Sequence, residues 1–182
     1  FRSLAEGPDG DVWVGTYADG VIRMRGGKEI ARYNRSAGLG SNAVMSILPL
    51  PDGQVWLGTT GGLSLLKDGV IRTLHIKDGL PGEFINSLKL APDGQLWIGT
   101  GLGPAVLRDG KLQAIDMTAL AGPQQVFDFH FELNSPLVWM ATDRGLVRYQ
   151  SASKQLAVVD SRHGLAVEKF FSIQVEMQSD AE

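Results

Sequence analysis

Four tryptophans divide the chain into units of nearly equal length. They stand 43, 41 and 42 residues apart in a sequence of 182 residues. In three copies a Pro-Asp-Gly turn leads into Val or Leu, then Trp, an apolar residue and Gly-Thr. A period near 40 residues with one aromatic residue in each unit is typical of a repeat architecture. The sequence therefore predicts stacked repeats, with the tryptophans at equivalent places: Trp13, Trp56, Trp97 and Trp139.

Within each unit, four short segments rich in β-branched and apolar residues alternate with turn signals. Pro8-Asp9-Gly10 joins the first two segments of unit 1, and Gly26-Gly27 joins the third to the fourth. Such turns favour tight hairpins, and no segment has a helical period. Four strands in about 42 residues are typical of one blade of a propeller. We therefore predict an all-β fold, a β-propeller with four four-stranded antiparallel blades.

The predicted blades span residues 1–42, 43–84, 85–125 and 126–169, and an extra first strand spans 170–177. Because both ends of the chain then carry the same strand, they cannot complete one blade by exchange. We therefore expect an arc of a larger propeller. An arc leaves a blade face open at each end, so self-association is also expected.

The fourth unit departs from the pattern of the other three. Asn134-Ser135-Pro136 stands where the others have Pro-Asp-Gly, and Ala141 replaces the Gly of Gly-Thr. These changes place the first hairpin of this unit in doubt, although the strands around it keep their pattern.

Composition and charge exclude several classes of function. The net charge is −3 and no basic stripe is present, which argues against a nucleic-acid partner. Cysteine is absent, which excludes disulfides and thiolate metal sites. No window approaches the length of a membrane span. The chain opens with Phe1 inside a predicted strand and without an initiator Met, so we expect a piece of a longer protein.

The unit with Pro-Asp-Gly, Trp, Gly-Thr and a later Gly-Leu resembles the two-component regulator propeller repeat. This resemblance covers essentially the whole chain, in three good copies and one degraded copy. It implies a periplasmic sensor region of a bacterial receptor whose cytoplasmic side carries a histidine kinase or a GGDEF diguanylate cyclase. It also implies an unknown small molecule or a saccharide as ligand, no cofactor, and a membrane reached only through parts outside this sequence.

Binding residues are expected where the units differ most, in the links between their second and third strands. Variable loops on a constant scaffold are how such folds carry binding. An ordinary variable loop is an equally good interpretation of each position taken singly. The six candidates in these links are Tyr17, Asp19, Thr60, Leu102, Asp143 and Arg144.

Three further candidates lie on the first strands of units 3 and 4, namely Lys89, Asp128 and His130. Asp128, His130 and Glu132 alternate with phenylalanines, so they share one face of a strand. That pattern is compatible with metal binding or acid–base chemistry. A polar, hydrated channel wall explains it more simply, because one strand supplies no converging second group.

The favoured function is a ligand-sensing module without catalytic or metal-binding residues of its own. The alternative is a propeller enzyme of the lyase or lactonase type, assisted by a metal, for which Asp128 and His130 form the available pair. A third interpretation is a scaffold that binds protein. The tryptophans are interpreted as packing between blades in all three cases.

Overall fold

The structure, a computed structural model, describes residues 1–120, 122–164 and 171–173. These residues form four separate four-stranded sheets, each an antiparallel meander in sequence order. The first two sheets contain β1 Ser3–Glu6, β2 Val12–Gly15, β3 Val21–Arg25, β4 Lys28–Tyr33, β5 Val44–Pro49, β6 Val55–Thr59, β7 Gly62–Lys67 and β8 Val70–Leu74. The last two contain β9 Ile85–Leu90, β10 Leu96–Thr100, β11 Gly103–Arg108, β12 Lys111–Ala114, β13 Val126–Phe131, β14 Leu137–Thr142, β15 Gly145–Gln150 and β16 Gln155–Val159.

The predicted fold class is confirmed: the described residues form four propeller blades. The first strands of successive blades pack beside one another, β1 by β5, β5 by β9 and β9 by β13. These strands therefore form the inner edge of the arc, and β4, β8, β12 and β16 form its outer edge. In the described part of the chain, no helix has the length and hydropathy needed to cross a bilayer.

Three hydrophobic clusters hold the blades together, one at each joint between neighbours. Among the described residues, no such cluster joins blade 4 to blade 1, so the sheets do not close into a ring. The structure is a partial propeller arc, as the sequence predicts. The predicted extra strand, 170–177, lies outside the described residues except for 171–173.

The hairpin turns have the conformations that their residues favour. Gly10, Gly53 and Gly94 of the three Pro-Asp-Gly turns have φ of 76°, 81° and 81°, which costs glycine little. The first hairpin of blade 4 also forms, although its turn lacks this motif. Asn134 takes φ of 57° there, and Asn tolerates the left-handed region better than most residues. The doubt about this hairpin is therefore removed.

Short 3-10 helices follow the outer strands of blades 1, 2 and 4, at Arg35–Ala37, Ile76–Asp78 and Ser161–His163. The sequence does not predict these helices, because three residues are too few to show a helical period. Each ends at the glycine of a Gly-Leu pair, and this glycine has a positive φ: Gly38, Gly79 and Gly164. The Gly-Leu segments are therefore helix ends that direct the chain back to the inner edge.

Three of the four tryptophans are buried between blades, as expected. Trp97, only 5% exposed, lies edge-on to Phe129, Phe131 and Tyr149 of blade 4, with ring centroids 5.5, 5.7 and 6.0 Å away. Trp139 differs because it lies on the open face of blade 4 and stays partly exposed. Its Nε1–H donates to the carboxylate oxygen Oε1 of Glu132 at 2.7 Å.

Candidate functional site

The links between second and third strands are held in shape by the threonine of each Gly-Thr pair. The hydroxyl of Thr100 donates to the carbonyl of Gly103 at 2.7 Å and accepts the N–H of Leu102 at 3.1 Å. Thr16, Thr59 and Thr142 make the same pair of bonds in their own links. Sequence reasoning missed this role, although the repetition of Gly-Thr was the available signal. A threonine fixed in this way presents the link residues at one end of every blade.

These links lie beside the segments that precede the next inner strand. The N–H of Gly62 donates to the carbonyl of Glu83, and that of Gly20 donates to the carbonyl of Asn42. We call the surface formed by the links (16–20, 60–61, 101–102, 143–144) and these segments (38–43, 79–84, 122–125) the link rim. The hairpin turns lie at the opposite end of each blade.

Four of the six candidates in the links are solvent-exposed, and the other two are partly buried and hydrogen-bonded to neighbouring segments. Thr60 Oγ1 donates to Ser41 Oγ at 2.8 Å, and Asp143 Oδ1 accepts the N–H of Gln125 at 2.9 Å. These two side chains support the rim. The exposed four are Tyr17, Asp19, Leu102 and Arg144.

Three exposed apolar or aromatic side chains lie on this rim. Tyr17 is 64% exposed, Leu102 is 53% exposed and Phe84 is 42% exposed. Phe84 lies next to Leu102, because the carbonyl of Phe84 accepts the N–H of Gly101 at 2.9 Å. Phe84 is not among the residues predicted from the sequence. Its signal was an aromatic residue directly before an inner strand, where units 2 and 4 have Ala43 and Gln125.

The candidates on the inner strands form a support between blades 3 and 4. Lys89 Nζ donates to the carbonyl of Phe129 at 2.7 Å and lies 3.5 Å from Asp128 Oδ1. Asp128 Oδ1 accepts the N–H of Phe129, and its Oδ2 accepts the N–H of Ile173, at 2.8 and 2.9 Å. The carboxylate of Asp128 is therefore used to position backbone.

His130 pairs in register with Trp139, so it lies on the open face of blade 4. The third residue of this pattern, Glu132, binds the indole of Trp139, and that hydrogen bond lowers the pKa of the Glu132 carboxyl. In the described ranges, no three His, Cys, Asp or Glu side chains converge as a metal site. The predicted face is thus formed by Asp128, His130 and Glu132. The carboxylates of Asp128 and Glu132 are already hydrogen-bonded within the fold.

Apart from the link rim, a concave cleft lies between blades 3 and 4, at the end where the hairpin turns are. Its volume is about 1050 Å³, and its wall includes Trp97, Arg108, Asp116, Leu133 and Lys154. None of the candidates predicted from the sequence lines this cleft. The cleft depends on the pairing of two blades, which no single motif reveals. Acidic, basic and apolar groups all line it, so it has no strong preference for one sign of charge.

Comparison with known proteins identifies the repeats. The family model of the two-component regulator propeller matches residues 38–61 and 79–101, which include Trp56 and Trp97. No curated protein matches the chain significantly in sequence.

The solved structures that resemble this chain are propellers. The extracellular domain of the hybrid two-component system BT3049 from B. thetaiotaomicron is 25% identical, with a TM-score of 0.83 over 98% of this chain. That of BT4673 from the same organism is 17% identical, with a TM-score of 0.76 over 96%. A virginiamycin B lyase from Staphylococcus aureus is 17% identical, with a TM-score of 0.64 over 86% of this chain and 54% of its own.

The chain spans about a quarter of the length of the two extracellular domains that it matches. The identities of 17% establish the fold alone. The segments 38–61 and 79–101 of this chain match the two-component regulator propeller repeat, and its four-bladed arc is similar to extracellular domains of two-component systems.

Proposed function

We propose that this chain is a ligand-sensing, non-catalytic part of a periplasmic propeller in a bacterial signal-transduction receptor. The observation that carries this proposal is the match to an extracellular two-component domain over 98% of the chain at 25% identity. A histidine kinase or a diguanylate cyclase on the cytoplasmic side is the output that such a receptor would control. The ligand is proposed to be a small molecule or a saccharide.

The link rim is the proposed contact surface for the ligand. Exposed Tyr17, Phe84 and Leu102 offer apolar contact, and Asp19 and Arg144 lie on the same rim and bear charge. Amphipathic surfaces of this kind suit ligands that combine hydroxyl groups with apolar C–H faces. Because the threonine hydroxyls fix each link, the side chains are held in place before a ligand arrives, which reduces the entropy cost of binding.

Titration calorimetry with a defined set of neutral oligosaccharides tests the proposal. The probes are cellohexaose, xylohexaose and maltohexaose, added to the 182-residue chain. We expect at least one to bind, and Leu102→Ala to weaken it by about tenfold, or ~1.4 kcal/mol. Val70→Ala serves as the control, because Val70 is 70% exposed on an outer strand and far from the rim.

Leu133→Ala separates the rim from the cleft between blades 3 and 4. Leu133 is 75% exposed and lines that cleft. Weaker binding in Leu133→Ala with unchanged binding in Leu102→Ala would move the site to the cleft. If none of the three probes binds, the proposed saccharide class is wrong.

The rival function, a metal-assisted lyase or lactonase, rests on Asp128 and His130 and on the fold shared with virginiamycin B lyase. Metal analysis of the purified chain distinguishes the two functions. A stoichiometric divalent ion that disappears in His130→Ala would favour the enzyme. We expect the same trace metal content in the wild type and in His130→Ala.

A further inference from the structure

The first three blades differ in the third-strand residue that pairs with the tryptophan. The three pairs are Trp13 with Arg23, Trp56 with Leu65, and Trp97 with Val106. Paired residues lie on the same face of a sheet, so this position belongs to the joint with the next blade. Valine is the smallest of the three side chains, and Val106 lines the cleft between blades 3 and 4 together with Trp97.

In blade 1 this position places a cation against the indole. The guanidinium group of Arg23 lies over the ring of Trp13, 5.1 Å from its centroid. The same group donates to the carboxylates of Asp11 and Asp9, which lie at the first hairpin turn. A guanidinium is weakly hydrated and planar, which suits it to an aromatic face. The joint of blades 1 and 2 is thus a guanidinium site that a residue of the chain already fills.

The joint of blades 3 and 4 keeps the indole and one carboxylate of this arrangement. Trp97 replaces Trp13, Asp93 replaces Asp9, and both line the cleft of about 1050 Å³. The short side chain of Val106 does not fill the space that an arginine fills in blade 1. The cleft therefore lies where blade 1 has its guanidinium group.

Blade 4 enlarges the aromatic surface of this cleft. Phe131 and Tyr149 belong to one paired row of side chains, with Val138 between them and Leu156 beyond. The ring centroids of Phe131 and Tyr149 lie 5.7 and 6.0 Å from that of Trp97. Three aromatic rings that line one cleft favour a cation, because their faces carry partial negative charge.

Charged side chains surround these rings without a large excess of either sign. The wall contains three carboxylates and two cations, namely Asp93, Asp116, Glu132, Arg108 and Lys154. Arg108 donates to Gln95 Oε1 at 2.7 Å, so a partner in its own blade already binds it. The aromatic rings, more than the net charge of the wall, would therefore select a cation.

We propose that the cleft between blades 3 and 4 binds a guanidinium group, carried by an arginine-containing peptide or by a free guanidino compound. The guanidinium takes the place over Trp97 that Arg23 takes over Trp13, with Asp93 in the role of Asp9. This site is separate from the link rim, and the saccharides proposed for the rim are neutral. The failure of either proposal therefore leaves the other untouched.

Titration calorimetry of the 182-residue chain with N-acetylargininamide tests the proposal. N-acetylcitrullinamide is the matched probe, because it has nearly the same shape and no charge. We expect one site per chain for the arginine probe, and binding at least about tenfold weaker for the citrulline probe. Equal affinities of the two probes, or no binding of either, would overturn the proposal.

Substitutions at the position that pairs with the tryptophan locate the bound probe. Val106→Arg copies blade 1, so the chain's own guanidinium should fill the site and abolish probe binding. Val106→Leu copies blade 2 and should weaken the probe, because the larger side chain reduces the space over Trp97. Circular dichroism checks that each variant is folded. Unchanged binding in a folded Val106→Arg chain would contradict the proposal, and Val106→Leu decides the matter if that chain does not fold.

Two turn variants separate this site from a general attraction of cations to an acidic protein. Asp93→Asn should weaken the arginine probe by about two- to fivefold, whereas Asp52→Asn should leave it unchanged. Both aspartates make the same bonds to the glutamine two residues later, so the two variants perturb their turns alike. Equal effects of the two variants would point to the net charge of −3 alone and would refute the site.

A peptide probe identifies the source of the guanidinium group. Leu133 and Leu156 also line the cleft, so it offers apolar contact on either side of a bound arginine. We expect N-acetyl-leucyl-arginyl-leucinamide to bind more tightly than N-acetylargininamide, which would support an arginine-containing peptide. An affinity no greater than that of the single residue would support a free guanidino compound at the same site.

Discussion

Replacing the buried Trp97 with alanine should destabilise the arc more than the same substitution at Trp139, which is partly exposed. A buried tryptophan removes about 200 Å² from water, worth about 5 kcal/mol at 25 cal/mol per Å². Partial collapse of the cavity recovers some of this, so Trp97→Ala should cost ~3–5 kcal/mol in the free energy of unfolding. The three edge-on ring contacts with blade 4 are lost at the same time.

Trp139→Ala is the matched control, because the same residue type occupies the same repeat position on an open face. It loses partial burial and one hydrogen bond to Glu132, which together are worth about 1–2 kcal/mol. Urea unfolding followed by far-ultraviolet circular dichroism measures both, since fluorescence would change with the substitution itself. A cost under about 1 kcal/mol for Trp97→Ala, or equal costs for the two variants, would refute the role of Trp97 as a plug between blades.

Two further substitutions test how the blades and turns are built. Gly58→Ala should cost about 1–3 kcal/mol, because the new Cβ would overlap the Ser46 hydroxyl and would also lie 2.7 Å from Ile85 Cγ2 in the next blade. Ser46→Ala in the same chain should therefore recover only part of the loss, and full rescue would show that the Ser46 hydroxyl was the only obstacle. Asp11→Asn tests the ion pairs of the first turn. Hydrogen bonds from Arg25 lower the pKa of the Asp11 carboxyl, burial opposes this shift, and Arg23 reinforces it. The carboxylate therefore contributes to the stability of the fold at neutral pH, and this contribution is lost as acid protonates it. The unfolding free energy of Asp11→Asn should therefore change less between about pH 5 and pH 3 than that of the wild type, and identical slopes would contradict the assignment.

The candidate site was predicted in part from the sequence. Variation between copies located the links, and Tyr17 and Leu102 are exposed there. Variation between copies could not distinguish the exposed candidates from Thr60 and Asp143, which bind neighbouring segments. The partners of these two side chains come from elsewhere in the chain. Phe84 was missed for the same reason, since its exposure depends on how the next blade packs.

The inner strand of blade 4 shows the same limit. Alternation correctly placed Asp128 and His130 on one face, because side chains of a strand alternate by geometry alone. What each does on that face depends on residues distant in sequence. Asp128 binds the N–H of Ile173, 45 residues away, and it lies 3.5 Å from the ammonium group of Lys89 in another blade.

The sequence by itself determined the repeat, the strand order within each blade and the conformations of the turns. These depend on contacts between residues close in the chain, so a 42-residue period records them. Only the tertiary structure decided that three tryptophans are buried and one is partly exposed, and which apolar residues stay uncovered on blade 1 among the described residues. Those properties depend on which blade faces stand beside a neighbour, and equivalent residues in identical motifs differ in this respect.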